Sequence, residues 1–228
     1  MNRLKAVLVI SLFFLTGCGL DVIKDVYADP VTEVPSPPVI TGTGDAMIFK
    51  FSTKTLPDST NMGSVYIYYL IYNKESTHNT EVSYLSSIAT DENKSTTSAN
   101  QMLSYGYREL RVDTKENGGS GHDTDVFILD NKNHSIEICL TAPGFDSEII
   151  VDDVKIGTPC RSNGKNFEFF ESPDDSNKPV SEDDDTKKFD ENSDGYYVAL
   201  FSVFSAFDED YQPLYSPIHY LGSIKVTE

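Results

Sequence analysis

Hydrophobic and polar positions alternate with a period of two over much of the chain beyond residue 45, the spacing of strands that bury one face. In 46–52 (AMIFKFS) the pattern sets Met47, Phe49 and Phe51 on one side. The run 65–73 (VYIYYLIYN) is dense in β-branched and aromatic residues, which suit a pleated surface. It puts Val65, Ile67, Tyr69 and Ile71 on one face and Tyr66, Tyr68, Leu70 and Tyr72 on the other. Similar runs occupy 107–113, 124–130, 135–142, 148–156, 166–170 and 222–227. The run 196–208 (YYVALFSVFSAFD) is apolar on both faces and is expected to lie centrally. Turn signals separate these segments, among them Asn117-Gly118-Gly119-Ser120-Gly121, Asp130-Asn131, Pro143-Gly144 and Pro213. The expected fold class is mainly β, an antiparallel β-sandwich elaborated by insertions and one short helix.

The helix is placed at 95–105. Thr96 or Ser98 caps its start, Met102 and Tyr105 lie three apart, and Gly106 suits the residue past its end. Residues 79–89 are read as a further turn. The acidic stretch 172–195 is nearly free of apolar side chains and has too little to bury to order itself.

The first residues follow another pattern. Arg3 and Lys5 precede ten apolar residues, 6–15, then Thr16, Gly17 and Cys18. That run is shorter than the roughly 20 residues a bilayer span requires and fits the hydrophobic region of an export signal. Leu15-Thr16-Gly17-Cys18 resembles the lipobox of bacterial lipoproteins. The resemblance implies a diacylglycerol on the Cys18 sulfur, removal of residues 1–17 and acylation of the new amino terminus. The membrane is then a partner through a lipid anchor. The alternatives are an ordinary secretory signal and a buried apolar helix. Two or three acyl chains hold a protein durably where one does not. Gly19, rather than Asp, favours the outer membrane or cell surface of a bacterial envelope. Residues 18–37, with Pro30, Pro35, Pro37 and Pro38, read as an extended tether ahead of a domain at 38–228.

The chain has 228 residues and a formal charge of −18. Losing Arg3 and Lys5 with the signal takes it to −20. This acidity argues against nucleic acid as a partner and against electrostatic binding to anionic lipid. Once Cys18 is lipidated, Cys139 and Cys160 remain. In an exported protein the pair reads as a disulfide contributing about 3 kcal/mol, or as two small buried thiols in adjacent strands.

A second resemblance covers about a third of the chain. Ser36-Pro37-Pro38, the strand 46–52 and Gly63-Ser64 running into 65–72 are similar to the first three strands of a fibronectin type III domain. Asp194-Gly195-Tyr196-Tyr197-Val198-Ala199, followed by Tyr215-Ser216-Pro217, resembles its last two strands. The resemblance implies an immunoglobulin-like sandwich with a tyrosine corner. The chain departs from the family in having no tryptophan, so Phe49 or Phe51 takes that core position, and in its long insertion between the two matching ends.

Candidate chemistry is sparse. Asp190, Asn192 and Asp194, followed by Gly195, have the spacing of the first half of an EF-hand calcium loop. The twelfth position is Phe201 rather than an acid, so a strand-flanked calcium loop is the metal reading and a solvated acidic loop its alternative. Tyr66, Tyr68 and Tyr72 are candidates for an exposed platform binding protein or glycan; burial under a helix or a second sheet is the alternative. His78, His122, His134 and His219 have no metal-ligand spacing. The acid groups Asp152-Asp153 and Asp183-Asp184-Asp185 read as solvated. With no catalytic motif, no enzyme is expected. The expected role is binding or structural: adhesion, envelope assembly or ligand capture. The alternatives are a periplasm-facing solute-binding or accessory lipoprotein and a hydrolase using acidic residues.

Overall fold

Strand β2 (Asn61–Tyr72) is apolar on both faces, so burying it takes a layer of structure on each side. The computed structural model supplies both layers. It describes residues 48–53, 61–88, 98–114, 127–129, 133–140, 147–167, 176–187, 195–207 and 213–226. Besides β2 these hold β1 (Ile48–Ser52), α1 (Glu75–Ile88), α2 (Ser98–Ser104), β3 (Arg108–Glu109), β4 (Arg111–Asp113), β5 (Phe127–Leu129) and β6 (Ser135–Cys139). There follow β7 (Glu148–Val151), β8 (Val154–Cys160), β9 (Thr186–Lys187), β10 (Tyr196–Phe207), β11 (Pro213–Tyr215) and β12 (His219–Val226).

Two sheets form a sandwich. The first has the order β1-β6-β7-β8-β4, every pair antiparallel. The second is built on β10 and β2, which pair along their lengths from Tyr197↔Tyr72 to Phe207↔Asn61. On its other side β10 takes β12 along its first half and β11 at its end. On its far side β2 takes β5, β3 and, in parallel, β9. The central position expected for 196–208 is therefore observed.

Alternation along β2 and β10 sorts side chains into two cores. Val65, Ile67, Tyr69, Ile71, Val198, Leu200 and Phe204 meet Phe49, Phe51, Ile136, Ile138 and Ile149 of the other sheet. Tyr68, Leu70, Tyr72, Ala199, Phe201 and Val203 meet Val82 and Leu85 of α1, Met102 of α2 and Tyr107. The molecule thus has three layers, sheet, sheet and helices. Each fully buried leucine or phenylalanine contributes about 1.5–3 kcal/mol relative to exposure.

Several local readings change. The helical layer has two helices, not one, and α1 runs 14 residues where a single turn was expected. Its only wholly buried hydrophobic residues are Val82 and Leu85, too few for a strong periodic signal. Helix α2 ends as predicted. Gly106 has φ +90, its N–H bonds the Leu103 carbonyl at 3.0 Å and the Tyr107 N–H bonds that of Met102 at 3.1 Å, a Schellman end. The run 148–156 is not one strand but a hairpin. Asp152 and Asp153, at φ 50 and 64, turn β7 into β8. Aspartate tolerates that conformation, but no glycine marks the turn. The run 107–113 divides at Leu110 between β3 in one sheet and β4 in the other. The Leu110 N–H bonds the Ile67 carbonyl at 2.7 Å at this crossing.

Cys139 ends β6 and Cys160 ends β8, with β7 between them. Strands stand about 4.8 Å apart, so the two backbones lie about 10 Å apart, beyond the ~7 Å that a disulfide spans. The expected bridge is accordingly not formed, and both residues are buried thiols.

Candidate functional site

Of the residues singled out from sequence, Cys18 and the loop residues Asp190, Asn192 and Asp194 lie outside the described residues. The tyrosine platform is corrected. Tyr68 and Tyr72 are 1% and 0% exposed, covered by α1, α2 and Tyr107. Tyr66 is partly buried at the edge of the same cluster. The helical layer consumed this face because β2 has no polar side to leave in water.

Tyr72 and Tyr107 instead share a 3.0 Å hydrogen bond, and Tyr72 donates to Glu81 of α1 at 3.2 Å. Lys187 of β9 pairs with Glu81 at 2.8 Å. Burial, reinforced by these neighbours, pushes the Tyr72 hydroxyl far above the ordinary phenol range. The group is a polar clasp between helix and sheet.

Two further polar clusters join separate elements around buried side chains. In the first, Arg161 follows β8 and has no solvent exposure. Its Nε and Nη2 donate to both oxygens of Asp185 at 2.7 and 2.6 Å. Nη2 also donates to Asp183 at 2.7 Å, and Nη1 to the Asn177 carbonyl at 2.7 Å. Tyr69 donates to Asp185 at 2.6 Å, and its oxygen accepts the Ser162 N–H at 2.7 Å. Lys165 holds Asp183 at 2.8 Å, while Arg108 and Ser162 hold Asp184 at 2.9 Å. Burial works against the charge of both Arg161 and Asp183. The bonds to Asp185 and Asp183 nevertheless lift the guanidinium above its usual range, and Lys165 and Arg161 hold Asp183 below the usual carboxylate range. The reading of Asp183-Asp184-Asp185 as solvated is therefore wrong for Asp185, which is fully buried. Fork-to-fork bonding of this kind is what a buried arginine requires. The cluster ties segment 176–187 to the sandwich.

The second cluster joins α1 to β12. The β10–β12 register slips at Leu221: Phe201 pairs with Tyr220, and Leu200 with Gly222, which has φ +130. In a regular strand, residues three apart point to opposite faces. The extra residue puts Tyr220 and Ser223 on the same face, opposite Phe201 and Ala199. Tyr220 donates to Ser223 Oγ at 2.6 Å. Ser223 Oγ lies 2.7 Å from Nε2 of His78, whose Nδ1 lies 2.9 Å from Asn79 Oδ1. Asn79 Oδ1 only accepts, so Nδ1 carries the proton and Nε2 accepts from Ser223. The imidazole stacks on Tyr197 at 5.1 Å and meets Tyr72 edge-on at 5.4 Å. Burial holds His78 below the ordinary histidine range, against smaller upward pulls from Asn79 and Glu75. No spacing motif signals this group, because α1 and β12 meet only through the fold. The bulge glycine Gly222 is its one local mark.

Among the described residues, no three of His, Cys, Asp and Glu converge to hold a metal ion, and no helix is long and apolar enough to cross a membrane. No family model, curated protein or solved structure matches the chain.

Proposed function

We propose that the chain is a lipid-anchored protein of a bacterial envelope, working as a binding or structural module in adhesion, envelope assembly or ligand capture. The observation that carries this reading is the ordered series Arg3, Lys5, ten apolar residues and Leu15-Thr16-Gly17-Cys18. Residues 18–37 then act as a tether, with the body held off the bilayer of an outer membrane or cell surface. A formal charge of −18 leaves the acyl chains as the membrane contact. The engagement of Asp183, Asp184 and Asp185 with Arg161, Arg108 and Lys165 fits a structural use of these acids better than a hydrolytic one.

The test is Cys18→Ser. The wild-type protein is expected in the membrane fraction, with acyl chains seen by mass spectrometry on a protein beginning at Cys18. The variant is expected unprocessed and without acyl chains. A wild-type protein lacking lipid, or a variant still acylated, would sink the reading.

A further inference from the structure

We propose that Ser223 is a nucleophile toward neutral acyl esters, with His78 as its general base and Asn79 as the residue that orients the imidazole. This inference adds an activity to the folded body and holds whether or not Cys18 carries lipid.

The argument starts from the one-way chain of hydrogen bonds. Tyr220 donates to Ser223 Oγ at 2.6 Å, so the serine proton is left to point at His78 Nε2, 2.7 Å away. The Nδ1 proton is fixed by Asn79 Oδ1 at 2.9 Å. Nucleophile, base and orienter thus stand in hydrogen-bond series, which is the geometry that activates a hydroxyl. The two ends differ in exposure as the chemistry requires. Ser223 is partly exposed on β12, whereas His78, on the inner side of α1, is 8% exposed. The group depends on the bulge at Leu221, without which Tyr220 and Ser223 would face opposite sides of the sheet. Irregularities of this kind are over-represented beside active sites, where they re-aim a side chain.

The step balances as follows. Ser223 Oγ attacks the ester carbonyl carbon and its proton passes to His78 Nε2. The Tyr220 hydroxyl, 2.6 Å from Oγ, is the proposed donor to the developing oxyanion. The ester C–O bond breaks, and the departing alkoxide takes the proton from His78. Water, deprotonated by His78, then releases the acyl group as a carboxylic acid and restores Ser223. The net change is ester plus water to acid plus alcohol. The Tyr220 ring next to the serine, the Tyr197 ring stacked on the imidazole and the formal charge of −18 favour a neutral substrate over an anionic acyl donor.

The experiment treats the purified full chain with a fluorophosphonate probe and locates the adduct by peptide mass spectrometry. The expected result is one adduct on Ser223, absent in Ser223→Ala, and formed about 10²–10⁴-fold more slowly in His78→Gln. Because His78 is packed between rings, Asn79→Ala, on the exposed side of α1, serves as the second variant, with thermal melts establishing that each is folded. It is expected to slow labelling without moving the melt. No adduct on Ser223 of the folded wild-type protein, or a labelling rate unchanged in folded Asn79→Ala and His78→Gln, would overturn the proposal and leave the group as a joint between α1 and β12.

Discussion

Arg161 carries a full charge at zero solvent exposure, a state that its bonds to Asp185, Asp183 and the Asn177 carbonyl make tolerable. Replacing it by methionine keeps the bulk but strands the buried Asp185 carboxylate. Breaking such a pair from one side costs about 3–5 kcal/mol, so the urea midpoint of Arg161→Met is expected to fall steeply. Lys165, which pairs with Asp183 from the half-exposed rim, is the contrast. Its replacement by methionine is expected to cost no more than about 1 kcal/mol. Equal losses in the two variants would refute this division of roles.

Among the elements, β8 is tightly fitted against β4 at Gly157. A Cβ on Gly157 would come within 2.5 Å of the Val112 side chain and 2.6 Å of the Asp113 carbonyl oxygen. The second contact is with backbone, which has little room to yield. Gly157→Ala is therefore expected to destabilise by about 1–3 kcal/mol, read as a lower thermal midpoint, and to loosen β4 from β8 in hydrogen exchange. A neutral effect would mean that β4 shifts freely. The same strands show what the sequence could convey. The apolar run 196–208 is rightly expected at the centre of its sheet, and alternation in 65–73 sorted its side chains correctly, because both faces are fixed by period two alone. It could not place Leu110, where one run serves both sheets, or the Asp152-Asp153 turn, whose residues read as polar surface. Nor could it bring His78 to Ser223. That pairing needs α1 laid over β12 and one extra residue in the strand, and neither leaves a spacing in the chain.

For the whole molecule, titration sets the range of stability. His78 and His219 are both held below the ordinary histidine range by burial. The unfolded chain therefore takes up these protons first, and stability is expected to decline as pH falls below about 6.5. Asp183 and Asp184, held low by their cationic partners against burial, add a second loss below about pH 4. The sign reverses at the alkaline end. Burial raises Tyr68, Tyr69, Tyr72, Tyr107 and Tyr220, so their contribution is full below about pH 10 and lost above it. Denaturant midpoints from pH 3 to 11 are expected to trace a plateau between these flanks; a flat profile from pH 7 to 5 would exclude the histidine contribution.

The pairing of Tyr72 with Tyr197 has a bearing on biogenesis. Strand β2 emerges early from the ribosome, but its main partner, β10, is among the last segments made. Until then a twelve-residue stretch, oily on both sides, has no native neighbour along one edge. Closure of the central ladder waits for the carboxy-terminal quarter, and a product cut short before residue 196 is condemned to stickiness, not to a smaller working version of the protein.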